Sequence, residues 1–129
     1  MPASGAATFN CDVRRTAKTY VASRTASTSV TASNSKVCGI TGIEAGVYLV
    51  SATTHIAMSS AGNAYINLYR STSNTNKIVF DNHYVKAGST WICTTIWVTC
   101  SASDNVSFYI EPNAACTTDT AYLEMIRIA

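Results

Sequence analysis

Two histidines, five cysteines and seven Asp or Glu side chains hold most of the chemistry available to this 129-residue chain. His55 lies in an alternating run, on the side shared with Leu49, Ser51 and Thr53, while His83 follows Asp81 and Asn82 in a stretch that reads as a turn. Neither histidine has a neighbour at a catalytic or metal-ligand spacing. There is no His-x-x-x-His or Gly-x-Ser-x-Gly, and serine is too abundant for one residue to stand out as a nucleophile. If Asp81-Asn82 belongs to a strand instead, Asp81 and His83 share a face and merely hydrogen-bond. The expectation is a protein that is not an enzyme and needs no cofactor.

Metal chemistry fares little better. Oxygen ligands from Asp81, Asp104 or Asp119 could meet in loops at one end of a sandwich and hold calcium, although scattered single carboxylates usually cap turns. Cys11, Cys38, Cys93, Cys100 and Cys116 form no C-x-x-C pair, and an odd number cannot all be bridged within one chain. Reduced cysteines buried as small hydrophobes, in a chain that matures in a cytoplasm, are the simplest account. Asn105-Val106-Ser107 is a glycosylation sequon at a strand start and reads as chance.

The elements that would position these groups are strands. Only 12% of residues are charged, about half the usual share, and Ser, Thr and Ala supply well over a third of the chain. With seven Tyr and two Pro the bias runs away from helices. Phe9, Cys11 and Val13 alternate with polar neighbours, as do Ala64, Ile66 and Leu68, and Val106, Phe108 and Ile110. Turn chemistry breaks the pattern at 59–63, 71–76, 87–89, 101–104 and 112–120. The first strand is expected to begin near Thr8, and residues 22–36 read as a long loop with a short strand near Thr28–Thr31. The expected fold is all-β: a single antiparallel β-sandwich jelly roll of about 8–10 strands. One domain spans 1–129, with a basic N-terminal strand and loop over 1–36 and the sandwich body over 37–129.

A net charge of +2 is too small to drive nucleic-acid binding. Residues 1–36 nevertheless hold Arg14, Arg15, Lys18, Arg24 and Lys36 against Asp12 alone, which suits docking on an acidic neighbour. The N-terminus lacks the regions of a signal peptide, and no apolar run is long enough to insert in a membrane.

Two strands have more apolar surface than one core can use. Between Trp91 and Cys100, Ile92, Ile96, Val98 and Cys100 alternate with Trp91, Cys93 and Trp97; in the last strand Leu123 and Met125 alternate with Tyr122, Ile126 and Ile128. A two-layer sandwich buries only one face of each strand, so the second face needs a cover. Another subunit is the expected one, with the chain's own loops or N-terminal arm as the alternative.

Three stretches carry a family resemblance. Ile40, five residues, then Gly46-Val47-Tyr48-Leu49-Val50-Ser51-Ala52 resembles an aromatic, five residues, then Gly-x-Tyr-x-Phe-x-aromatic. Ser103-Asp104-Asn105-Val106 matches a Gly-Asp-x-Val strand opening except at the Gly, and Tyr122-Leu123-Glu124-Met125-Ile126-Arg127-Ile128 resembles a terminal strand in which Gly is usual at Glu124. Together they resemble, across about residues 37–129, the trimeric jelly rolls of tumour necrosis factor and the globular heads of the first complement component. The resemblance implies a homotrimer whose contacts fall on Leu49, Ser51, Trp91, Cys93, Trp97 and Tyr122.

The same jelly roll recurs in bacteriophage fibre heads, spikes and capsid decoration proteins, which this chain resembles in its low charge and its Ser, Thr and Ala content. The leading expectation is therefore a homotrimeric virion protein, made in the host cytoplasm, that decorates or cements a capsid. A strand beginning near Thr8 in a complete chain leaves no shaft before it, so Arg14, Arg15, Lys18 and Arg24 would dock on the major capsid protein. In the alternative, the chain is the head on a tail-fibre shaft, and Tyr65, Tyr69, Tyr84 and Tyr109 contact host cell-surface glycans. A secreted ligand of the tumour necrosis factor type is the third reading.

Overall fold

The computed structural model describes residues 17–30, 33–71 and 76–129. Alternation is written through it, because a strand buried on one face must place every second side chain inward. Nine antiparallel strands form among the described residues: β1 (Thr19–Arg24), β2 (Thr28–Val30), β3 (Ser35–Ile43), β4 (Gly46–Met58), β5 (Gly62–Ser71), β6 (Lys77–Val85), β7 (Gly88–Cys100), β8 (Asp104–Pro112) and β9 (Cys116–Arg127). They make two sheets, the first in the order β1-β9-β4-β7 with β2 also on β9, the second β3-β8-β5-β6. The crossing order and the face-to-face layers are those of a β-sandwich jelly roll.

The core is where the sheets meet. Tyr48, Val50, Ala52 and Ile56 of β4, Leu123 and Met125 of β9, and Ile92 and Val98 of β7 face Ala64, Ile66 and Leu68 of β5 and Val106, Phe108 and Ile110 of β8. Two of the three alternating triads expected from the sequence are thus inward rows, and the third, Phe9, Cys11 and Val13, lies outside the described residues. Tyr48 is fully enclosed and donates its hydroxyl to the Glu44 carbonyl at 2.8 Å, which satisfies the one polar atom the ring brings inside. Its ring meets Tyr20 edge-on, and Tyr20 in turn accepts the Glu44 amide at 3.0 Å.

Two motif positions acquire a physical reason. A Cβ on Gly46 would lie 2.6 Å from Arg127 Nε and 3.1 Å from the Ala129 carbonyl, so a side chain here would displace the Arg127 head and crowd the last residue. In the 101–104 turn, Asp104 accepts the Ser101 amide at 2.8 Å, and Ser103 takes φ = 68°. Glycine is the residue that adopts this conformation freely, and serine holds it here at a cost.

Three expectations need correction. Residues 22–24 complete β1 rather than opening a long loop, although the short strand near Thr28 is present as β2. The break expected over 112–120 shrinks to 113–115, because Cys116–Thr120 pairs with β4 as part of β9. Asp81-Asn82-His83 is strand, not turn: it lies within β6, with His83 opposite Ala64. Turn-forming residue types are tolerated there because β6 is a sheet edge among the described residues, pairing with β5 alone.

Candidate functional site

The outward face of the first sheet is built from four cross-strand rows. Thr19, Ile126, Leu49 and Trp97 stand opposite one another across β1, β9, β4 and β7; Val21, Glu124, Ser51 and Thr95 follow; then Ser23, Tyr122, Thr53 and Cys93; and last Thr120, His55 and Trp91. All six side chains expected at a trimer contact, Leu49, Ser51, Trp91, Cys93, Trp97 and Tyr122, therefore lie on this one face. Their placement follows from strand parity within β4 and β7, and for Tyr122 from its pairing opposite Thr53.

The indoles stand in solvent. Trp97 is 71% exposed and Trp91 54%, with Val21 at 64% and Tyr122 at 40%. Ile126 and Ile128 extend the same apolar surface. Val21 and Ile126 belong to the surface as fully as the six. Val21 went unassigned in the sequence because its neighbours in β1 are small and polar, which leaves the alternation of that strand faint.

At one end of the face is a pair that spacing did not reveal. His55 Nδ1 lies 2.9 Å from Asp119 Oδ1, and the imidazole ring is 5.1 Å from Trp91. The pairing of β4 with β9 slips between His55 and Ile56, whose partners are Thr120 and Thr118. Asp119 is thus the extra residue of a β-bulge, turned outward toward His55. Thr54 braces the bulge by donating its hydroxyl to the Thr120 carbonyl at 2.9 Å. Only a residue 64 positions away supplies this carboxylate, so nothing local announces it.

The remaining candidates are dispersed. Asp81 bonds His83 at 2.9 Å on the second sheet, Asp104 caps its turn and Asp119 meets His55, so the three carboxylates considered for calcium do not converge. Among the described residues no three His, Cys, Asp or Glu side chains gather to hold a metal. Cys38, Cys93, Cys100 and Cys116 are free thiols. Burial pushes the Cys38 thiol up to about 11, against the pull of Arg24 and Lys36, and raises Cys100 and Cys116 as well. Cys93 is the exception to the expectation of buried cysteines, being exposed on the outward face. No helix among the described residues is long and apolar enough to cross a membrane.

The four tyrosines considered for glycan contacts divide. Tyr65 stacks on Phe80 with centroids 4.5 Å apart, and Tyr69 meets Tyr109 edge-on at 5.0 Å. Tyr84 stands 69% exposed on β6. Of the basic residues, Arg14 and Arg15 lie outside the described residues. Lys18 pairs with Glu44 at 3.5 Å, and Arg24 donates to the Val37 carbonyl and the Thr28 hydroxyl, tying β1 to β2 and β3.

Solved structures share this arrangement of strands. An Eiger tumour necrosis factor from S. frugiperda superposes with a TM-score of 0.63 over 86% of this chain and 93% of its own, at 9% identity. The chain has a tumour-necrosis-factor-like jelly-roll fold. Murine APRIL matches with a TM-score of 0.54, 10% identity, and coverage of 86% of this chain and all of that one. A protein in the structure of infectious bursal disease virus, Gt strain, matches 98% of this chain with a TM-score of 0.58 and 9% identity, and this chain spans 36% of it. No protein-family profile matches the sequence, and no curated protein does. At such identities the likeness is one of fold.

Proposed function

We propose that the chain is a non-enzymatic virion surface protein, a homotrimeric jelly roll that decorates or cements a capsid. One observation carries this reading: among the described residues a sheet face bearing Trp91, Trp97, Tyr122, Val21 and Ile126 is exposed. Aromatic side chains grouped in this way are what a subunit contact covers, and monomers seldom leave them in water. The contact surface implied by the family resemblance is the same face. Support for the virion comes from the low charge and small polar side chains, from four free thiols among the described residues, and from the viral protein that shares the fold.

Docking on the shell belongs to the basic N-terminal segment, and because Arg24 is committed within the protomer and Lys18 pairs with Glu44, it falls mainly to Arg14 and Arg15. Identical weak contacts repeated on a symmetric shell add by multivalency. The receptor-binding alternative has Tyr84 in its favour, exposed on an edge strand; the paired rings of Tyr65, Tyr69 and Tyr109 offer less free surface. Sedimentation equilibrium of the full chain tests the oligomer, with a trimer expected and a monomer at every concentration overturning it. Electron cryomicroscopy of the parent particle tests the location: density on the shell supports decoration, and density at a fibre tip supports the alternative.

A further inference from the structure

We infer that His55 and Asp119 make the proposed subunit contact pH-responsive, so that the trimer tightens as pH falls. The inference rests on the outward face being that contact. The bulge in β9 turns Asp119 toward His55, at 2.9 Å, directly beside the exposed indole of Trp91. His55 and Asp119 retain 27% and 49% side-chain exposure in the protomer, which a partner covering Trp91 would reduce.

The charges around the pair decide the sign. From β9 the face receives Asp119 and Glu124; from β7 it receives Trp91 and Cys93, and from β4 itself Ser51, Thr53 and His55. Arg24 of β1 turns the other way, to the Val37 carbonyl of β3. Each protomer therefore brings two carboxylates and no Lys or Arg to the face among the described residues. Removing Asp119 from water beside a neutral imidazole leaves an anion with a hydrogen bond but no countercharge, which is costly. An imidazolium at His55 supplies that charge in place. The assembled state consequently binds more protons than the separated protomers, and association strengthens as pH drops. An imidazole ordinarily changes charge between about pH 5 and 8, which fixes the range to examine.

The experiment is sedimentation equilibrium of the full chain at about pH 8 and about pH 5.5, with His55→Asn, Asp119→Asn and His83→Asn beside the wild type and circular dichroism to confirm folding. Asparagine at 55 places an amide nitrogen where Nδ1 lies, keeping a donor to Asp119 without the charge. For the wild type the trimer constant should rise at least about tenfold toward acid. His55→Asn should flatten that rise, and Asp119→Asn should tighten the trimer at the higher pH and remove the acid gain. His83→Asn, whose partner is Asp81 on the other sheet, should behave as wild type. A wild-type trimer indifferent to pH, or an acid gain that survives both His55→Asn and Asp119→Asn, overturns the switch while leaving the contact. A chain that stays monomeric at both pH values removes the contact and the switch together.

Discussion

The two sheets bury similar side chains inward and differ in what they turn outward. On the second sheet, Tyr84 aside, the outward aromatics find partners within the protomer: Tyr65 on Phe80, Tyr69 against Tyr109, and Lys77 Nζ 4.6 Å from the Phe80 ring centre. Beneath them Asn67 is fully buried and donates to Asn34 and Glu111, each at 3.0 Å, while Asn34 donates to the Tyr69 hydroxyl at 2.7 Å. On the first sheet Trp91 meets only His55, and Trp97 enters no ring contact among the described residues. Aromatic content alone therefore does not mark a docking surface. What separates the faces is whether the rings are already satisfied within one chain.

That contrast breaks most visibly if the indoles are removed. Replacing Trp91 and Trp97 together with serine should weaken self-association by about 2–4 kcal/mol, as buried tryptophans at a contact centre do, while urea unfolding of the dilute protomer stays close to wild type. Association unchanged by the double substitution would show that the first sheet's face is ordinary surface. The opposite signature is expected on the second sheet. Asn67→Ala removes the donors that hold Asn34 and Glu111, and should cost about 1–2 kcal/mol of protomer stability, read as a shifted urea midpoint, with the trimer constant unmoved. A smaller effect calibrates both measurements from outside either face. Ser103→Gly relieves the left-handed backbone and should raise stability by about 1 kcal/mol, again without altering association.

Much of this contrast was legible before any coordinates. In β7 and β9 large apolar residues occupy both parities, and such a strand can satisfy only one side in a sandwich, so counting in twos puts Trp91, Trp97 and Tyr122 on a second surface. The end of β1, residues 22–24, reads as loop because Ser, Thr and Ala give little amplitude to any period. His83 was misplaced for a different reason. Asp81-Asn82 carries strong local turn preference, and an edge position in the sheet overrides it. The His55–Asp119 pair lay beyond sequence reasoning altogether, since a one-residue slip between β4 and β9 creates it and no local pattern encodes where a ladder slips. Tyr65, Tyr69 and Tyr109 illustrate the same limit: their types were visible, their mutual contacts were not.

The position of β7 carries a consequence of its own. Thirteen residues long, it closes its sheet among the described residues, pairing with β4 along one side while none of the described strands pairs with the other. An unpaired margin of that length is a template on which stray copies can zip into ribbons, a hazard that grows with the concentration of the chain. Bulky indoles near both ends of β7 impede such growth only until another chain covers them in register. Closed assembly about an axis would then act as a safeguard as well as a scaffold, giving each newly made chain a finite complex to enter before an endless one.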